Sequence, residues 1–190
     1  MITNLLNKNL TKIITYLTIS PGSKYTRKEL KEKTKLNNIP LDESLSKLSV
    51  LKIIKKEKNL YSLKLEYEPA NRIIEIIKSE YNKYHLSYET FIILLEIIDK
   101  LSKYNQIKDI ILFGSYAKLI HTDKSDLDLA IISEQKLKEN IEKVVIKAID
   151  KISKKDNKKI DLKFFTDEEI KKNQSDPLIK DIIRNGKSLI

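Results

Sequence analysis

Ile110–Ile132 reads IILFGSYAKLIHTDKSDLDLAII. Ile110, Ile111, Leu112 and Phe113 form an apolar run that predicts a strand ending at Gly114-Ser115. A short polar turn follows, and Ser125-Asp126-Leu127-Asp128-Leu129 leads into a second apolar run. Side chains alternate faces along a strand, so Asp126 and Asp128 share one face. Two neighbouring carboxylates repel each other unless a cation neutralises them. Hard oxygen ligands beside a small glycine turn suit Mg2+ and a triphosphate.

Outward from this stretch, the C-terminal half alternates strands and helices. A half-helix is expected at Ser115–Leu119 and a second strand at about Leu127–Ser133. An amphipathic helix follows at about Lys136–Lys154, then a third strand at Lys159–Phe165. That third strand carries Asp161 between Ile160 and Leu162, on the opposite face from both. Thr166-Asp167-Glu168-Glu169 is a helix start with an acidic first turn, and Gly186 reads as a helix stop. Upstream lie two helices, roughly Asn71–His85 and Tyr88–Tyr104. The second is apolar on more than one face (Phe91 to Leu95, Ile97, Ile98, Leu101) and must be buried on several sides, between domains or in a dimer.

The 190 residues suffice for one average domain or two small ones. There is no cysteine, which excludes disulfides and thiolate zinc sites, and the two histidines leave no multi-histidine metal site. The longest apolar run, Phe91–Leu95, is too short to span a membrane, and polar residues interrupt the N-terminus where a signal peptide would be apolar. The expected location is the cytoplasm. The net charge is +10, unevenly spread. Residues 1–65 hold 14 Lys/Arg against 5 Asp/Glu, whereas residues 66–190 hold 23 against 22. A basic first third favours a polyanion partner; it also fits a merely solvated lysine surface.

That first third predicts three helices and a hairpin. Apolar residues at Leu5, Leu6, Leu10, Ile13, Ile14 and Leu17 have helical spacing within residues 4–19. Ser20-Pro21-Gly22-Ser23 breaks that helix, and Thr26 with Glu29 forms a capping-box start for a short second one ending near Lys33. A third helix is expected at about Leu41–Leu51, then strands at Lys52–Lys56 and Leu60–Leu65. This order resembles a winged helix-turn-helix domain, in which the third helix enters the DNA major groove and the hairpin touches the backbone. The resemblance implies a double-stranded DNA contact through Lys47, Lys52, Lys55 and Lys56, with Lys58 also in the wing. Winged helices also serve as protein-docking modules.

The Gly-Ser turn, the Ser-Asp-x-Asp-Leu strand, the later Asp161 and the Pro177-Leu178-Ile179-x-x-Ile182-x-x-x-Gly186 ending resemble the nucleotidyltransferases of the DNA polymerase beta superfamily, in particular its small bacterial and archaeal minimal members. The likeness spans about Ile107–Ile190. The expected fold class is therefore α+β: a winged helix domain over 1–67, a helical linker over 68–106, and a nucleotidyltransferase domain over 107–190 with a mixed sheet flanked by helices. The resemblance implies Mg2+ on Asp126, Asp128 and Asp161, which are the catalytic carboxylates, with Asp161 helping to activate the attacking hydroxyl. Gly114, Ser115, Lys118 and Ser125 are the expected nucleotide-binding residues. Tyr116 is expected to pack or to cover the base, and His121 to be a solvated loop residue.

The implied activity moves AMP from ATP, or another nucleoside monophosphate from its triphosphate, onto a hydroxyl. Minimal members include antitoxins that adenylylate a tyrosine of a helical RNase toxin encoded beside them. That toxin's Arg-x4-His motif is absent here, so the toxin would be a separate protein. The competing reading is a winged-helix DNA-binding regulator with a sensing or inactive transferase domain. One position departs from the family: Leu119 stands where a second glycine is usual. Leucine resists a positive φ, so the loop is expected to take another path there.

Overall fold

The computed structural model describes residues 7–190, and the expected helical positions Leu5 and Leu6 lie outside them. The chain divides into two compact units that part between Lys83 and Tyr84. The region expected as a linker, 68–106, is thus shared: its first helix belongs to one unit and its second to the other.

In the first unit the order is α1 (Lys8–Ile19), β1 (Tyr25–Thr26), α2 (Arg27–Thr34), α3 (Asn38–Val50), β2 (Ile54–Glu57), β3 (Leu60–Leu63) and α4 (Glu68–Tyr84, whose last residue falls in the second unit). The sheet order is β1-β3-β2, antiparallel throughout. Thr26 caps α2 with the full capping box, its hydroxyl accepting from Glu29 N–H while Glu29 accepts from Thr26 N–H. The third helix starts three residues before the expected Leu41. Pro40 falls in its first turn, where a missing N–H removes no intrahelical bond. Ile13, Ile14 and Leu17 of α1 pack with Leu30, Leu41, Leu45, Leu48, Ile54 and Leu63, and α4 adds Ala70, Ile74 and Ile77 to the same core.

The second unit contains α5 (Tyr88–Leu101), β4 (Ile107–Phe113), α6 (Gly114–Ala117), β5 (Leu127–Ser133), α7 (Glu139–Asp156), β6 (Ile160–Thr166), α8 (Asp167–Lys172), α9 (Pro177–Asn185) and β7 (Lys187–Ser188). The sheet runs β6-β5-β4-β7, with β5 and β6 parallel and the other pairs antiparallel. A parallel pair needs a long crossover, and α7 supplies it. The apolar α5 is buried from Phe91 to Leu95 and again at Ile97, Ile98 and Leu101, and it packs against α7.

One sheet face is divided between two chemistries. Ala130 and Ile132 of β5, with Ile111 and Phe113 of β4 and Phe165 of β6, form an apolar patch closed by Ile182 of α9 and Ile170 of α8. Two residues back from Ala130 and four back from Phe165, that face presents Asp128 and Asp161 instead. The helix stop at Gly186 has φ −63°, not the left-handed conformation common after a helix. The glycine is needed for space: a Cβ there would overlap the Ile182 carbonyl oxygen and lie 2.6 Å from Ile111 Cγ2.

Candidate active site

The parallel register of β5 and β6 places Asp128 directly beside Asp161, and Leu129 beside Leu162. Asp126 precedes β5 and shares the parity of Asp128. The expected trio therefore comes from two adjacent strands at one end of the sheet. Gly114 closes this end from the neighbouring strand, since Phe113 pairs with Asp128. Gly114 takes φ +67°, and a Cβ on it would overlap Asp128 Oδ2 and lie 3.0 Å from Asp128 Cγ. The glycine thus serves both a left-handed turn and the close approach of a carboxylate.

Burial, then the negative charges of Asp161 and Asp126, push the Asp128 carboxyl above the usual carboxylate range, against opposing help from Lys163 and Lys159. Asp126 is ion-paired with Lys159, and Asp161 lies 3.0 Å from Lys163 Nζ. Neither lysine was singled out in the sequence, although the signal is there. In Lys159-Ile160-Asp161-Leu162-Lys163 both lysines stand two residues from Asp161, on its face of the strand.

Ser115 follows Gly114 in the short helix α6 and is partly buried. Lys118 is held by Asp181 of α9 at 2.7 Å. Lys118 draws the Asp181 carboxyl below its ordinary range, with further help from Asn185 and the Gly114 backbone. The Ser125 hydroxyl accepts from Thr122 N–H at 2.9 Å, bracing the loop before Asp126. Tyr116 is buried and stacks on His121, with ring centroids 4.0 Å apart and planes at 14°, and Lys158 Nζ lies 4.8 Å from the Tyr116 centroid. Tyr116 is therefore packed. His121 is not a solvated loop residue: it is half-buried, and its Nδ1 is enclosed without a hydrogen-bond partner.

The path expected around Leu119 is corrected as well. Leu119 adopts φ +60°, the conformation a glycine would have taken, and its side chain is about half exposed. Left-handed backbone costs a non-glycine residue about 1–2 kcal/mol. Leu119→Gly relieves that strain but adds freedom to the unfolded chain, so stability should rise by about 0.5–1 kcal/mol in denaturant unfolding. An unchanged or lower stability would show that the exposed leucine packs more than its surroundings indicate.

Asp181 was also missed, because α9 meets the glycine turn only in three dimensions. Asp181→Ala should cost about 1–2 kcal/mol by removing a charged hydrogen-bond acceptor. The depressed pKa makes that loss full above the ordinary carboxylate range and makes it vanish as pH falls through the folded-state pKa. Unfolding curves at neutral and acid pH would check both parts.

Among the described residues no three His, Asp or Glu side chains converge into a ready metal cage. Asp126 pairs with Lys159 and Asp161 with Lys163. The donor chemistry nonetheless fits a hard divalent cation: three carboxylates and no sulfur, with Asp128 raised first by burial and then by the charges of Asp161 and Asp126.

In the first unit, Lys47 is exposed on α3. Lys52 lies 5.3 Å from the Tyr67 ring centroid and Lys56 5.4 Å from that of Tyr61. Lys55 is shared between Glu57 at 3.5 Å and Glu66 at 3.6 Å. The exposed face of α3 also presents Ile39, Asp42, Glu43 and Val50.

A carboxylate-lined strand end closed by a glycine turn defines a class of site suited to cation-assisted phosphoryl chemistry. The sequence model of the family described as Polymerase beta, nucleotidyltransferase, matches residues 96–190, half of the chain. The chain belongs to this nucleotidyltransferase family. Its class of activity is nucleotidyl transfer, its substrate is a nucleotide, and members of the superfamily generally use a divalent metal. No curated protein matches the chain. No helix of the described residues is long and apolar enough to cross a membrane.

Proposed function

We propose that the chain transfers AMP from ATP onto a hydroxyl of a protein acceptor, as the antitoxin partner of a helical RNase toxin. The observation that carries the reading is the in-register pairing of Asp128 and Asp161 against Gly114. A bound Mg2+ would be held by Asp126, Asp128 and Asp161 and would offset the charge of the triphosphate. Asp161 takes the proton of the acceptor hydroxyl. The acceptor oxygen bonds to the α-phosphorus, and the bond to the β-phosphate oxygen breaks, releasing pyrophosphate. The Gly114 turn lets the phosphates approach the backbone, and the Ser115 hydroxyl donates to them. The side chains of Asp126 and Asp161 are 33% and 44% exposed, open enough for a hydroxyl carried by a macromolecule.

The test is incubation with ATP, Mg2+ and the protein encoded beside this chain, followed by peptide mass spectrometry. An AMP adduct on an acceptor tyrosine supports the reading; an adduct only on a small-molecule hydroxyl removes the protein acceptor.

The first unit supports a second role. Its order of three helices and a hairpin, its β1-β3-β2 sheet and its concentration of lysine fit a winged helix that binds double-stranded DNA. Lys47 and the wing lysines Lys52, Lys55 and Lys56 would make the phosphate contacts. Binding of this kind weakens steeply with salt. Anisotropy titrations against the chain's own promoter DNA at two salt concentrations would check it, and binding with no salt dependence would remove it.

A further inference from the structure

We propose that Lys159 and Lys163 are the triphosphate-binding cations of this site, held in reserve on the carboxylates and released to the phosphates when a divalent cation arrives. The inference rests on the nucleotidyl-transfer reading above. Four observations lead to it. Lys118, the expected phosphate ligand, is ion-paired at 2.7 Å with Asp181 of α9, which is outside the carboxylate trio, so a cation on the trio does not release it. The Ser125 hydroxyl, which accepts from the Thr122 backbone, carries no charge. The site therefore needs other positive charge for a polyanion. Lys159, just before β6, and Lys163 within it each stand two residues from Asp161, and each contacts one carboxylate of the trio.

The charge balance gives the exchange a direction. Three carboxylates facing two ammonium groups leave the site net negative, so a divalent cation is attracted and a bare triphosphate is repelled. A cation bound by Asp126 and Asp161 competes directly with the two lysines for the same oxygens. The freed ammonium groups sit on flexible four-carbon stems and reach phosphate oxygens as point charges. Their exposure, 76% for the Lys159 side chain and 44% for Lys163, leaves both room to turn. Cation binding and nucleotide binding are thereby coupled through two side chains of this chain.

The proposal separates two affinities that a merely structural lysine would not. Lys159→Met and Lys163→Met remove a competitor for the carboxylates and a partner for the phosphates at once. Calorimetry of the full chain with Mn2+ alone should show about 3–10-fold tighter binding in each variant. Calorimetry with Mg2+ and a non-hydrolysable ATP analogue should show about 10-fold weaker binding or more. Lys159→Arg and Lys163→Arg should restore most of the analogue affinity. Both affinities unchanged, or both moving in the same direction, would overturn the role of the lysines while leaving the transferase reading intact. Failure of the unaltered chain to bind either Mn2+ or the analogue would overturn the transferase reading itself, and the proposal with it.

Discussion

Gly114→Ala should lower nucleotidyl transfer by at least about 10²-fold while reducing stability by only about 1–2 kcal/mol. The backbone penalty arises from φ +67° at this position. The loss of activity has a different origin. The new Cβ overlaps the Asp128 carboxylate, which must swing away to make room. A displacement of about 1 Å in a reacting constellation costs on the order of 10²-fold. Gly22 provides the control. It also has a positive φ, +88°, but a Cβ there meets nothing within 4 Å. Gly22→Ala should therefore show a similar stability loss with full activity. Equal activity losses in the two variants would show that general destabilisation, and not displacement of Asp128, is responsible.

The second large effect is expected at Asp128 itself. Asp128→Asn keeps the shape and removes the charge, so transfer should fall by at least about 10²–10³-fold, the scale seen when one electrostatic group is removed from a reacting site. The metal-free protein should become more stable. Burial and two neighbouring carboxylates raise the Asp128 pKa, so the folded state holds its proton more tightly than the unfolded chain. Ionisation of Asp128 then opposes folding. That penalty grows as pH rises from the ordinary carboxylate range through the raised pKa, and it is complete above it. Asp128→Asn should raise Tm near neutral pH, with the gain shrinking to nothing in acid. A lower Tm at neutral pH would show that the carboxylate is stabilised in place and would contradict the electrostatics described here.

The reacting end of the fold was readable because its signals are local. Gly114-Ser115, the Asp126/Asp128 alternation and the single Asp161 each lie within a few residues of an apolar strand. Strand periodicity then places the carboxylates on one face without any knowledge of packing. What the sequence hid depends on contacts far apart in the chain. The two-residue strands β1 and β7 have no periodicity to show and exist only through pairing with β3 and β4. Asp181 reaches Lys118 across more than sixty positions of sequence. Leu119 defeated a propensity argument: the loop takes the left-handed turn a glycine would take, although a leucine occupies it. Lys159 and Lys163 were visible in principle, but in a lysine-rich chain a charged residue beside an aspartate carries little information until the ion pairs are seen.

The most direct test of the central claim is incubation of the purified chain with Mg2+ and α-labelled ATP, alone and with the protein encoded beside it, in parallel with an Asp126→Ala/Asp128→Ala double variant. Label on an acceptor, with pyrophosphate released in equal amount and both lost in the variant, is the predicted result. Equal labelling by the double variant, or no transfer together with no Mg2+-dependent binding of any of the four nucleoside triphosphates, would contradict it.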